Sequence, residues 1–355
     1  MKQNIRRIAS LLTALALAFS AVVCASAEGA PPTSATSVCV MDLDNGRVLY
    51  EKNPFEERCI ASTTKIMTGI LVIENNKNLD RIITVSAHAA AVGEASMYLE
   101  KGDKYPLRTI LYGTLLRSGN DAAMAVAEAT AGSEKKFVKM MNRKAKELGM
   151  THTHFSCPNG LIDENNYSCA RDMAVLGCYA MRNKLFADIV RRKSVRTKDG
   201  VPFTNHNKML RRDERCIGIK TGFTQKAGRT LVTCFRDPDS GRRIVIVTLN
   251  DPNDYNDHIS LCNWTFKNFP VRTLVKRNDR VATISNDGRR MALVAEKGFK
   301  LPLSYGEHLK LKRVLKVQTN RDLPMEADGY AGTLSFFLDG KKIAATRLHY
   351  QNAVS

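Results

Sequence analysis

Residues 61–68 read Ala61-Ser62-Thr63-Thr64-Lys65-Ile66-Met67-Thr68, a hydroxyl-rich stretch that opens a mostly apolar run ending near Glu74. The apolar run predicts a helix that begins close to Ser62. Residues three apart lie on one face of a helix, which puts the Lys65 amine within reach of the Ser62 hydroxyl. The stretch therefore predicts a helix with a serine–lysine pair in its first turn.

The Ser62–Lys65 pair has the composition of an activated nucleophile. A serine hydroxyl is a weak nucleophile until a base takes its proton. An ordinary lysine, with a pKa of ~10.4, stays protonated at neutral pH and cannot be that base. Burial and a second cation nearby, for which Lys220 is the candidate, would both favour the neutral amine. The Ser62 backbone N–H, free at the helix start, would face the oxyanion that develops during attack.

Two further motifs follow in order, Ser118-Gly119-Asn120 and Lys220-Thr221-Gly222. Each motif is weak alone, and Ser133 with Lys136 also fits the S-x-x-K pattern. Ser62 is favoured over Ser133 because it opens an apolar helix and because the other two motifs occur once each. The ordered set is the one already known from class A β-lactamases and penicillin-binding proteins, so it is a match to a known pattern.

Ser118 and Asn120 precede an alanine-rich helix, where a loop can aim both side chains into a cleft. Ser118 could pass a proton towards a leaving amine, and Asn120 could bind the substrate backbone or hold Lys65. Taken alone, the triplet is typical of an ordinary helix N-cap provided by Asn120 or Asp121. The other two motifs favour the catalytic interpretation.

The strand-like segment 217–224 carries the third motif. Gly222, without a side chain, would let an extended peptide lie against the backbone as an added strand. Lys220 and Thr221 would offer a charge and a hydroxyl to a terminal carboxylate. The Phe223 N–H would complete an oxyanion hole with that of the serine. Without the other motifs, an ordinary strand with an exposed lysine would be the simpler interpretation.

The pattern of apolar residues predicts an α+β domain followed by a smaller β-rich domain. A hairpin over 37–51 and strands over 217–224, 229–235 and 243–250 enclose a helical middle, which indicates a mixed sheet flanked by helices. Helices are predicted over 65–74, 121–130, 134–148 and 257–268. Short strands are predicted over 271–275, 280–284, 291–294, 309–317 and 332–338. Residues 28–269 and 270–355 are the two predicted domains.

On these residues the chain resembles the D-alanyl-D-alanine carboxypeptidases, the low-molecular-mass penicillin-binding proteins. Residues 61–68 look like the family's nucleophile segment, and Leu116-Arg117-Ser118-Gly119-Asn120-Asp121-Ala122-Ala123 is similar to its second motif. Further similar landmarks are Pro158-Asn159-Gly160-Leu161, Asn205-His206-Asn207, Gly218-Ile219-Lys220-Thr221-Gly222-Phe223-Thr224 and Ala227-Gly228. The resemblance covers nearly all of residues 37–350, including the β-rich tail.

The resemblance implies a β-lactamase/transpeptidase-like fold and removal of the terminal D-alanine from peptidoglycan stem pentapeptides. The route would be an acyl-enzyme on Ser62, which water hydrolyses and which β-lactams also form, with neither metal nor cofactor. Lys65 would be the general base and Ser118 the proton relay. Two features depart from the family: Ile217 stands where many relatives carry an acidic residue, and the sequence ends without the common C-terminal amphipathic membrane helix.

The first 27 residues have the pattern of an export signal. Lys2, Arg6 and Arg7 precede an apolar run over 8–23, and Ala25-Ser26-Ala27 supplies small residues for cleavage. A membrane anchor formed by the same run is the alternative. Cleavage is favoured because the run ends in small residues and not in a basic flank. We therefore expect an extracytoplasmic protein in the wall, in the periplasm or at the outer face of the membrane.

The chain is strongly basic. Removal of the signal leaves 51 Lys and Arg against 35 Asp and Glu, a net charge of +16. Residues 270–355 hold 16 Lys and Arg against 8 Asp and Glu, which is half of that excess. In an exported protein, this charge indicates attraction to anionic envelope surfaces. Nucleic acid is a poor candidate partner because no recognition motif accompanies the charge.

Eight cysteines follow the signal, and no C-x-x-C pair occurs among them. A chain of this length can bury its own core without disulfides. We therefore expect most of the cysteines to be small buried apolar residues. Within the signal itself, bulky Val23 before Cys24 disfavours lipid attachment.

Other functions have weaker support. A β-lactamase of the same fold is disfavoured by S-G-N in place of S-D-N and by the added β-rich domain. A catalytically silent wall-binding protein is disfavoured by the intact motif residues. Thr151-His152-Thr153-His154 lacks a third zinc ligand at suitable spacing, and Asp163-Glu164 is more typical of a surface loop than of a deacylation base. A Ser-His-Asp triad lacks the G-x-S-x-G elbow.

Overall fold

The computed structural model describes residues 29–161, 164–286, 289–318 and 329–352. The chain divides into two compact units, Ala30–Lys267 and the part from Asn268 onward. The predicted export signal lies outside the described residues. Within the described ranges, no helix has both the length and the apolar character required to cross a lipid bilayer.

The first unit is organised around one main sheet. Its strands are β1 (Ser37–Asp42), β2 (Val48–Lys52), β3 (Arg58–Cys59), β4 (Ile82–Thr84), β5 (Lys104–Pro106), β6 (Tyr167–Ser168), β7 (Ser194–Arg196), β8 (Pro202–Thr204), β9 (Cys216–Thr224), β10 (Gly228–Arg236) and β11 (Arg243–Leu249). The main sheet has the order β2-β1-β11-β10-β9, and β3–β6, β4–β5 and β7–β8 form separate two-stranded ribbons.

Every neighbouring pair in the main sheet runs antiparallel. The prediction of a mixed sheet was therefore wrong in this detail, although the α+β class is confirmed. The reason is that short hairpins join β1 to β2, β9 to β10 and β10 to β11, and a hairpin forces antiparallel pairing. The order leaves β9 at the edge of the sheet, where one side of its backbone is open to an incoming chain.

Helices cover the main sheet and form most of the core. They are α1 (Lys65–Asn75), α2 (Ala87–Ala90), α3 (Leu107–Tyr112), α4 (Asn120–Ala131), α5 (Glu134–Glu147), α6 (Ala170–Arg182), α7 (Lys184–Val190), α8 (Met209–Arg212) and α9 (Asp254–Asn268). The apolar residues of α1 are buried, including Ile66, Met67 and Ile70. A 3₁₀ turn, Ala61–Thr64, runs directly into α1, and a π-helical turn, Gly113–Arg117, follows α3.

The second unit has its own apolar core, formed by residues such as Leu293, Phe336 and Leu348. Its elements are β12 (Val271–Val275), β13 (Arg280–Asn286), β14 (Arg289–Ala295), β15 (Phe299–Pro302), α10 (Tyr305–Lys310), β16 (Lys312–Val317), β17 (Tyr330–Leu338) and β18 (Lys341–Asn352). One sheet has the order β13-β14-β18-β17-β16, and β12 pairs with β15. The predicted β-rich character of this region is confirmed.

One predicted strand of the second unit was wrong at its start. The strand expected over 309–317 begins only at Lys312, because residues up to Lys310 belong to α10. Ser304 caps this helix by accepting the Glu307 N–H, and the Glu307 carboxylate accepts the Ser304 N–H in return. This reciprocal cap satisfies two N–H groups that a short helix leaves open, and it stabilises the turn over an extended segment.

The cysteines of the described residues are all free thiols. Most of them are buried, and Cys59 and Cys157 are partly exposed. Burial raises the pKa of Cys178 and of Cys216 to about 12, which keeps both thiols protonated and unreactive. The expectation that most of the cysteines act as small apolar core residues is confirmed.

Candidate active site

Ser62 lies in the 3₁₀ turn that leads into α1, with its Oγ 2.9 Å from Lys65 Nζ. Ala61 before it has a left-handed backbone, with a φ of 47°, which turns the chain sharply. Gly160 packs against this turn so closely that a Cβ there would lie 2.0 Å from the Ala61 carbonyl oxygen. The turn that presents the serine is thus fixed by a close backbone contact that only glycine permits.

The Lys65 side chain is fully buried, and its amine has three partners. Nζ lies 2.8 Å from Asn120 Oδ1, 2.6 Å from the Asn159 carbonyl oxygen and 2.9 Å from Ser62 Oγ. Asn120 is itself oriented because its Nδ2 donates to the Gly93 carbonyl at 3.1 Å. Two of the three partners can only accept. The two N–H bonds of a neutral amine therefore go to them, and its lone pair faces the Ser62 hydroxyl.

Two buried amines shape the electrostatics of the site. Burial lowers the pKa of Lys65 well below its ordinary value, and the charge of Lys220 lowers it further. Burial also lowers the pKa of Lys220 to about 7. Lys220 Nζ donates to Ser118 Oγ at 3.0 Å and to the Thr221 carbonyl at 2.9 Å. At neutral pH the amine beside Ser62 is therefore available as a base.

Ser118 reaches Lys220 because its backbone is left-handed, with a φ of 67°, where the π-helical turn ends. The next residue, Gly119, is the N-cap of α4 and makes no side-chain cap bond, but Asp121 Oδ1 accepts the Ala122 N–H in the first turn at 2.7 Å. The Asp121 carboxylate also accepts backbone N–H groups of the loop 97–99. The capping interpretation therefore holds only for Asp121, because the amide of Asn120 is used to hold the buried lysine.

Strand β9 passes directly beside the nucleophile. A Cβ at Gly222 would lie 3.1 Å from the Ser62 backbone nitrogen and 2.4 Å from Thr230 Oγ1. Thr230 in turn donates to the Ile60 carbonyl at 3.2 Å, which ties the serine turn to β10. The next residue along the edge strand is Phe223, whose side chain is largely exposed. The glycine is thus required for the approach of the two backbones.

The side chain of Lys220 does not point where the sequence had suggested. The sequence suggested a lysine that offers its charge to a substrate carboxylate, but only 2% of Lys220 is exposed. Its amine is directed at Ser118 and at the Thr221 carbonyl, below the surface of the cleft. The physical cause is that Lys220 alternates with Thr221 and Phe223 along β9, so its side chain points inward.

Ser62, Ser118, Thr221, Gly222 and Phe223 line a common cleft of about 260 Å³. Sequence reasoning did not assign the other lining residues, Ala95, His206, Arg229, Asp254 and Tyr255, to the site. The sequence had indicated His206 only as part of a family landmark, and Arg229 only as the first residue of a predicted strand. Burial and the charges of Lys220 and Arg117 lower the pKa of His206, so it is neutral at pH 7.

Comparison with known proteins agrees with this geometry. The family model described as D-alanyl-D-alanine carboxypeptidase matches residues 24–253. The chain belongs to the D-alanyl-D-alanine carboxypeptidase family. It is a hydrolase of the serine peptidase type, as the motifs suggested. A second family model, described as the C-terminal domain of penicillin-binding protein 5, matches residues 269–355.

Several members of the carboxypeptidase family are similar over most of their length. The carboxypeptidase DacF of Bacillus subtilis is 31% identical over 327 residues, covering 87% of this chain and 83% of the relative. DacA of Escherichia coli is 30% identical over 334 residues, covering 89% and 82%. The solved structure of penicillin-binding protein 5 from Haemophilus influenzae aligns with a TM-score of 0.75 at 26% identity, over 92% of this chain and 98% of that one.

The second S-x-x-K pattern has a structural function. Ser133 is the N-cap of α5, and its hydroxyl accepts the Lys136 N–H at 3.3 Å. The pattern thus joins a capping serine to a backbone amide and not to a buried lysine amine. Elsewhere, Glu164 forms an ion pair with Lys226 and its side chain is 84% exposed, as expected of a surface carboxylate, while Asp163 lies outside the described residues.

Two further features of the first unit, a pair of histidines and a second cavity, do not contain a serine–lysine pair. The His152 and His154 rings contact Glu57 and the Asn165 carbonyl, respectively. A cavity of about 330 Å³ beside Tyr112, larger than the catalytic cleft, is lined by residues of α3 and of the β7–β8 ribbon. Serine and lysine do not meet there, so we place the chemistry in the smaller cleft.

Proposed function

We propose that this chain removes the terminal D-alanine from peptidoglycan stem pentapeptides through an acyl-enzyme on Ser62. The observation that supports this most strongly is the buried, three-partnered amine of Lys65, whose Nζ lies 2.9 Å from Ser62 Oγ. A lysine held in this way is a base at neutral pH, which is what an acylating serine needs. β-Lactams acylate the same serine in this proposal.

Acylation begins when the Lys65 lone pair takes the Ser62 proton and Oγ attacks the carbonyl carbon of the penultimate D-alanine. The N–H groups of Ser62 and Phe223 form the oxyanion hole for the charge that develops on the carbonyl oxygen. The amide bond then breaks, and the leaving nitrogen receives its proton through Ser118, to which Lys65 passes the proton it took. D-Alanine leaves, and the remaining acyl group stays on Ser62 as an ester.

Deacylation uses the same groups in reverse roles. Neutral Lys65 takes a proton from water, the hydroxide attacks the ester carbonyl, and the oxyanion again lies between the two backbone N–H groups. The ester bond to Oγ breaks, Ser62 regains a proton, and the shortened peptide leaves with a new carboxylate. Asn120 keeps Lys65 in place throughout, because its amide is already fixed between the amine and the Gly93 carbonyl.

The substrate peptide would lie extended along the edge of β9. Gly222 leaves room for its backbone, and the Thr221 hydroxyl, which lines the cleft, would contact the terminal carboxylate. Lys220 acts from below: it orients Ser118 and biases Lys65 towards its neutral form. The electrostatic contribution of Lys220 to substrate binding is therefore indirect.

Replacing Lys220 with methionine is expected to make the loss of activity depend on pH. The charge of Lys220 lowers the pKa of Lys65, so its removal raises the pKa of Lys65 and shifts the acid limb of the acylation rate to higher pH. Because the pKa of Lys220 is about 7, the loss is greatest below pH 7 and shrinks above it to the part that comes from the lost orientation of Ser118. The measurement is the rate of β-lactam acylation from pH 5.5 to 9.

The matched control for this substitution is Lys226→Met. Lys226 is an exposed lysine just past β9 and pairs with Glu164 instead of with Ser118. We expect its pH profile to match that of the wild type. A Lys220→Met protein whose loss is the same factor at every pH would show that Lys220 acts only by positioning Ser118.

The proposed activity is tested by incubating the mature protein with a stem pentapeptide and analysing the products. We expect one equivalent of D-alanine and the corresponding tetrapeptide. Rapid release of hydrolysed penicillin together with an intact pentapeptide would favour a β-lactamase. Absence of turnover on either compound would indicate a catalytically silent wall-binding protein.

We further propose that the chain acts outside the cytoplasm, with residues 1–27 as the export signal, 28–269 as the catalytic domain and 270–355 as a β-rich accessory domain. The support is the charge pattern of the N-terminal segment and the separate apolar core of the second unit. The excess basic charge of the accessory domain would attract it to anionic envelope surfaces. Nucleic acid is not expected as a partner.

A further inference from the structure

Three arginines line a cavity at the end of the main sheet that is far from the catalytic serine. Arg191, Arg236 and Arg243 border a space of about 330 Å³, and no aspartate or glutamate is among its lining residues. The charged end of Arg236 lies at this cavity, because its Nη2 is 3.6 Å from the position that a Cβ of the lining residue Gly241 would take. The cavity is thus lined by positive charge alone.

The rest of the cavity is mostly apolar and is separate from the catalytic cleft. Its apolar lining consists of Met181, Ala187 and Ile217. Ile217 precedes Gly222 by five residues on β9, which places the cavity roughly 17 Å along the strand from the glycine beside Ser62. A ligand bound here would leave the catalytic end of β9 open.

Two of the arginines are direct neighbours across the sheet. Arg236 ends β10 and pairs with Arg243, the first residue of β11, in the antiparallel register. Side chains directly opposite each other in such a pair have Cβ atoms about 5 Å apart, and like charges there are destabilising. The pairing therefore costs free energy that an anion between the two guanidinium groups would recover.

The nearby carboxylates balance only part of this charge. Arg243 Nη2 donates to Asp44 Oδ1 at 2.8 Å, and Arg191 donates to Asp188 Oδ1 from Nε at 3.1 Å and from Nη2 at 2.8 Å. Within the part of the chain that the structure describes, the exposed side chain of Arg236 makes no hydrogen bond or ion pair. At least one positive charge at the cavity is therefore left for a ligand.

The chemistry of the cavity fits a phosphodiester. A guanidinium presents its N–H groups as a fork that matches phosphate oxygens, and it stays charged at every physiological pH. A phosphodiester carries one negative charge on two free oxygens, which two neighbouring guanidinium groups can share. Its two carbon substituents would lie against the apolar lining, a contact that inorganic phosphate cannot make.

We propose that this cavity binds a phosphodiester group, with Arg236 and Arg243 sharing its two free oxygens and Arg191 adding a third positive charge. The site goes beyond the peptidase chemistry and does not depend on it. Phospholipid headgroups and polymers of glycerol phosphate both contain this group. Binding to either would hold the catalytic unit at an anionic surface while β9 remains accessible to peptides.

The first test titrates diethyl phosphate into the mature protein and follows the NMR signals of isotope-labelled methionine methyl groups. We expect the Met181 signal to shift to saturation in the wild type. In the Arg236→Gln protein we expect Kd to rise about 10- to 100-fold, the loss of one hydrogen bond to a charged group. Ile217→Glu keeps the three arginines but adds a carboxylate to the cavity, and we expect it to abolish the shift.

The matched control is Arg143→Gln, which removes an exposed arginine of α5 outside the cavity. We expect this variant to bind diethyl phosphate like the wild type. Propionate, a carboxylate of similar size, is expected to bind at least tenfold more weakly than diethyl phosphate. Equal binding of propionate, or an unchanged Kd in the Arg236→Gln protein, would overturn the proposal.

Thermal unfolding distinguishes a binding site from a purely structural cluster. Because like charges across a sheet are destabilising, Arg236→Gln without ligand is expected to unfold at the wild-type temperature or above it. Diethyl phosphate is expected to raise the unfolding temperature of the wild type but not that of the variant. A variant that unfolds at a lower temperature and gains the same rise would show that Arg236 only supports packing.

Two binding measurements identify the source of the phosphodiester. One is sedimentation with vesicles of phosphatidylglycerol and phosphatidylcholine, and the other is binding to a soluble glycerol-phosphate oligomer. Weaker binding of Arg236→Gln than of Arg143→Gln to one material identifies that material as the source, and equal binding to both would overturn the proposal. D-Alanine release from a soluble peptide is expected to be unchanged in Arg236→Gln, because Arg236 does not line the catalytic cleft. Failure of the site and failure of the proposed function are therefore distinguishable.

Discussion

Replacing Ser62 with alanine is expected to abolish D-alanine release, with kcat falling by about 10⁴-fold or more. The variant keeps the Lys65 amine, the Asn120 amide and the strand β9 in place but lacks the oxygen that forms the acyl bond. Ser62 lies at the surface of the cleft, so we expect thermal unfolding to be nearly unchanged. The measurement is D-alanine release from a stem pentapeptide under saturating conditions.

The matched control is Ser133→Ala, which removes the serine of the other S-x-x-K pattern. Because this hydroxyl caps α5, its loss is expected to cost about 1 kcal/mol of stability and to leave kcat unchanged. The opposite pattern, an active Ser62→Ala protein and an inactive Ser133→Ala protein, would refute the assignment of the nucleophile.

Replacing Lys65 with methionine is expected to slow acylation by about 10²- to 10⁴-fold, the contribution typical of a positioned general base. Methionine has a similar length and suits a fully buried position, so the packing of α1 is largely kept. What is lost is the lone pair that faces the Ser62 hydroxyl. The measurement is the single-turnover rate of acylation by a β-lactam, with circular dichroism to confirm the fold.

The Lys65→Arg variant tests whether position 65 needs a proton acceptor or only a positive charge. A guanidinium stays protonated and has no lone pair to accept the serine proton. If neutral Lys65 is the base, the arginine variant is expected to be as slow as the methionine variant. An arginine variant that acylates at close to the wild-type rate would show that a positive charge beside Ser62 is sufficient.

The local parts of the fold were predictable because they depend on neighbouring residues. The apolar run after Ser62 predicted α1, and the short apolar runs of β1, β10 and β11, bounded by turn residues, predicted strands of the main sheet. The start of β16 was not predictable from strand propensity, because a reciprocal cap between Ser304 and Glu307 turned the preceding residues into a helix. Strand β18 was not predicted, because polar residues occupy both buried and exposed positions along it.

The site was predictable only in part, because short motifs do not record how distant elements pack. Ser62, Lys65, Ser118, Asn120 and Lys220 belong to short motifs whose spacing has chemical meaning. The structure brings the five side chains together as two hydrogen-bonded groups: Lys65 bonds with Ser62 and Asn120, and Lys220 bonds with Ser118. That Lys220 points inward depends on how β9 packs, which no motif records. A sequence pattern thus gives the residue types but not the direction of each side chain.

The residues that sequence reasoning missed come from elements far apart in the chain. Arg229 is the second residue of β10, and Asp254 and Tyr255 begin α9, so they meet the motif residues only after the sheet has formed. A weak signal existed, since Arg229 directly follows the Ala227-Gly228 landmark.

The central claim is that Ser62 is the acylated nucleophile, and peptide mass spectrometry after exposure to a penicillin tests it most directly. We predict one adduct per chain, on the peptide that contains Ser62, in the wild type and in the Ser133→Ala protein. We predict no adduct in the Ser62→Ala protein. An adduct that persists in the Ser62→Ala protein, or that maps to Ser133 or Ser118, would contradict the account.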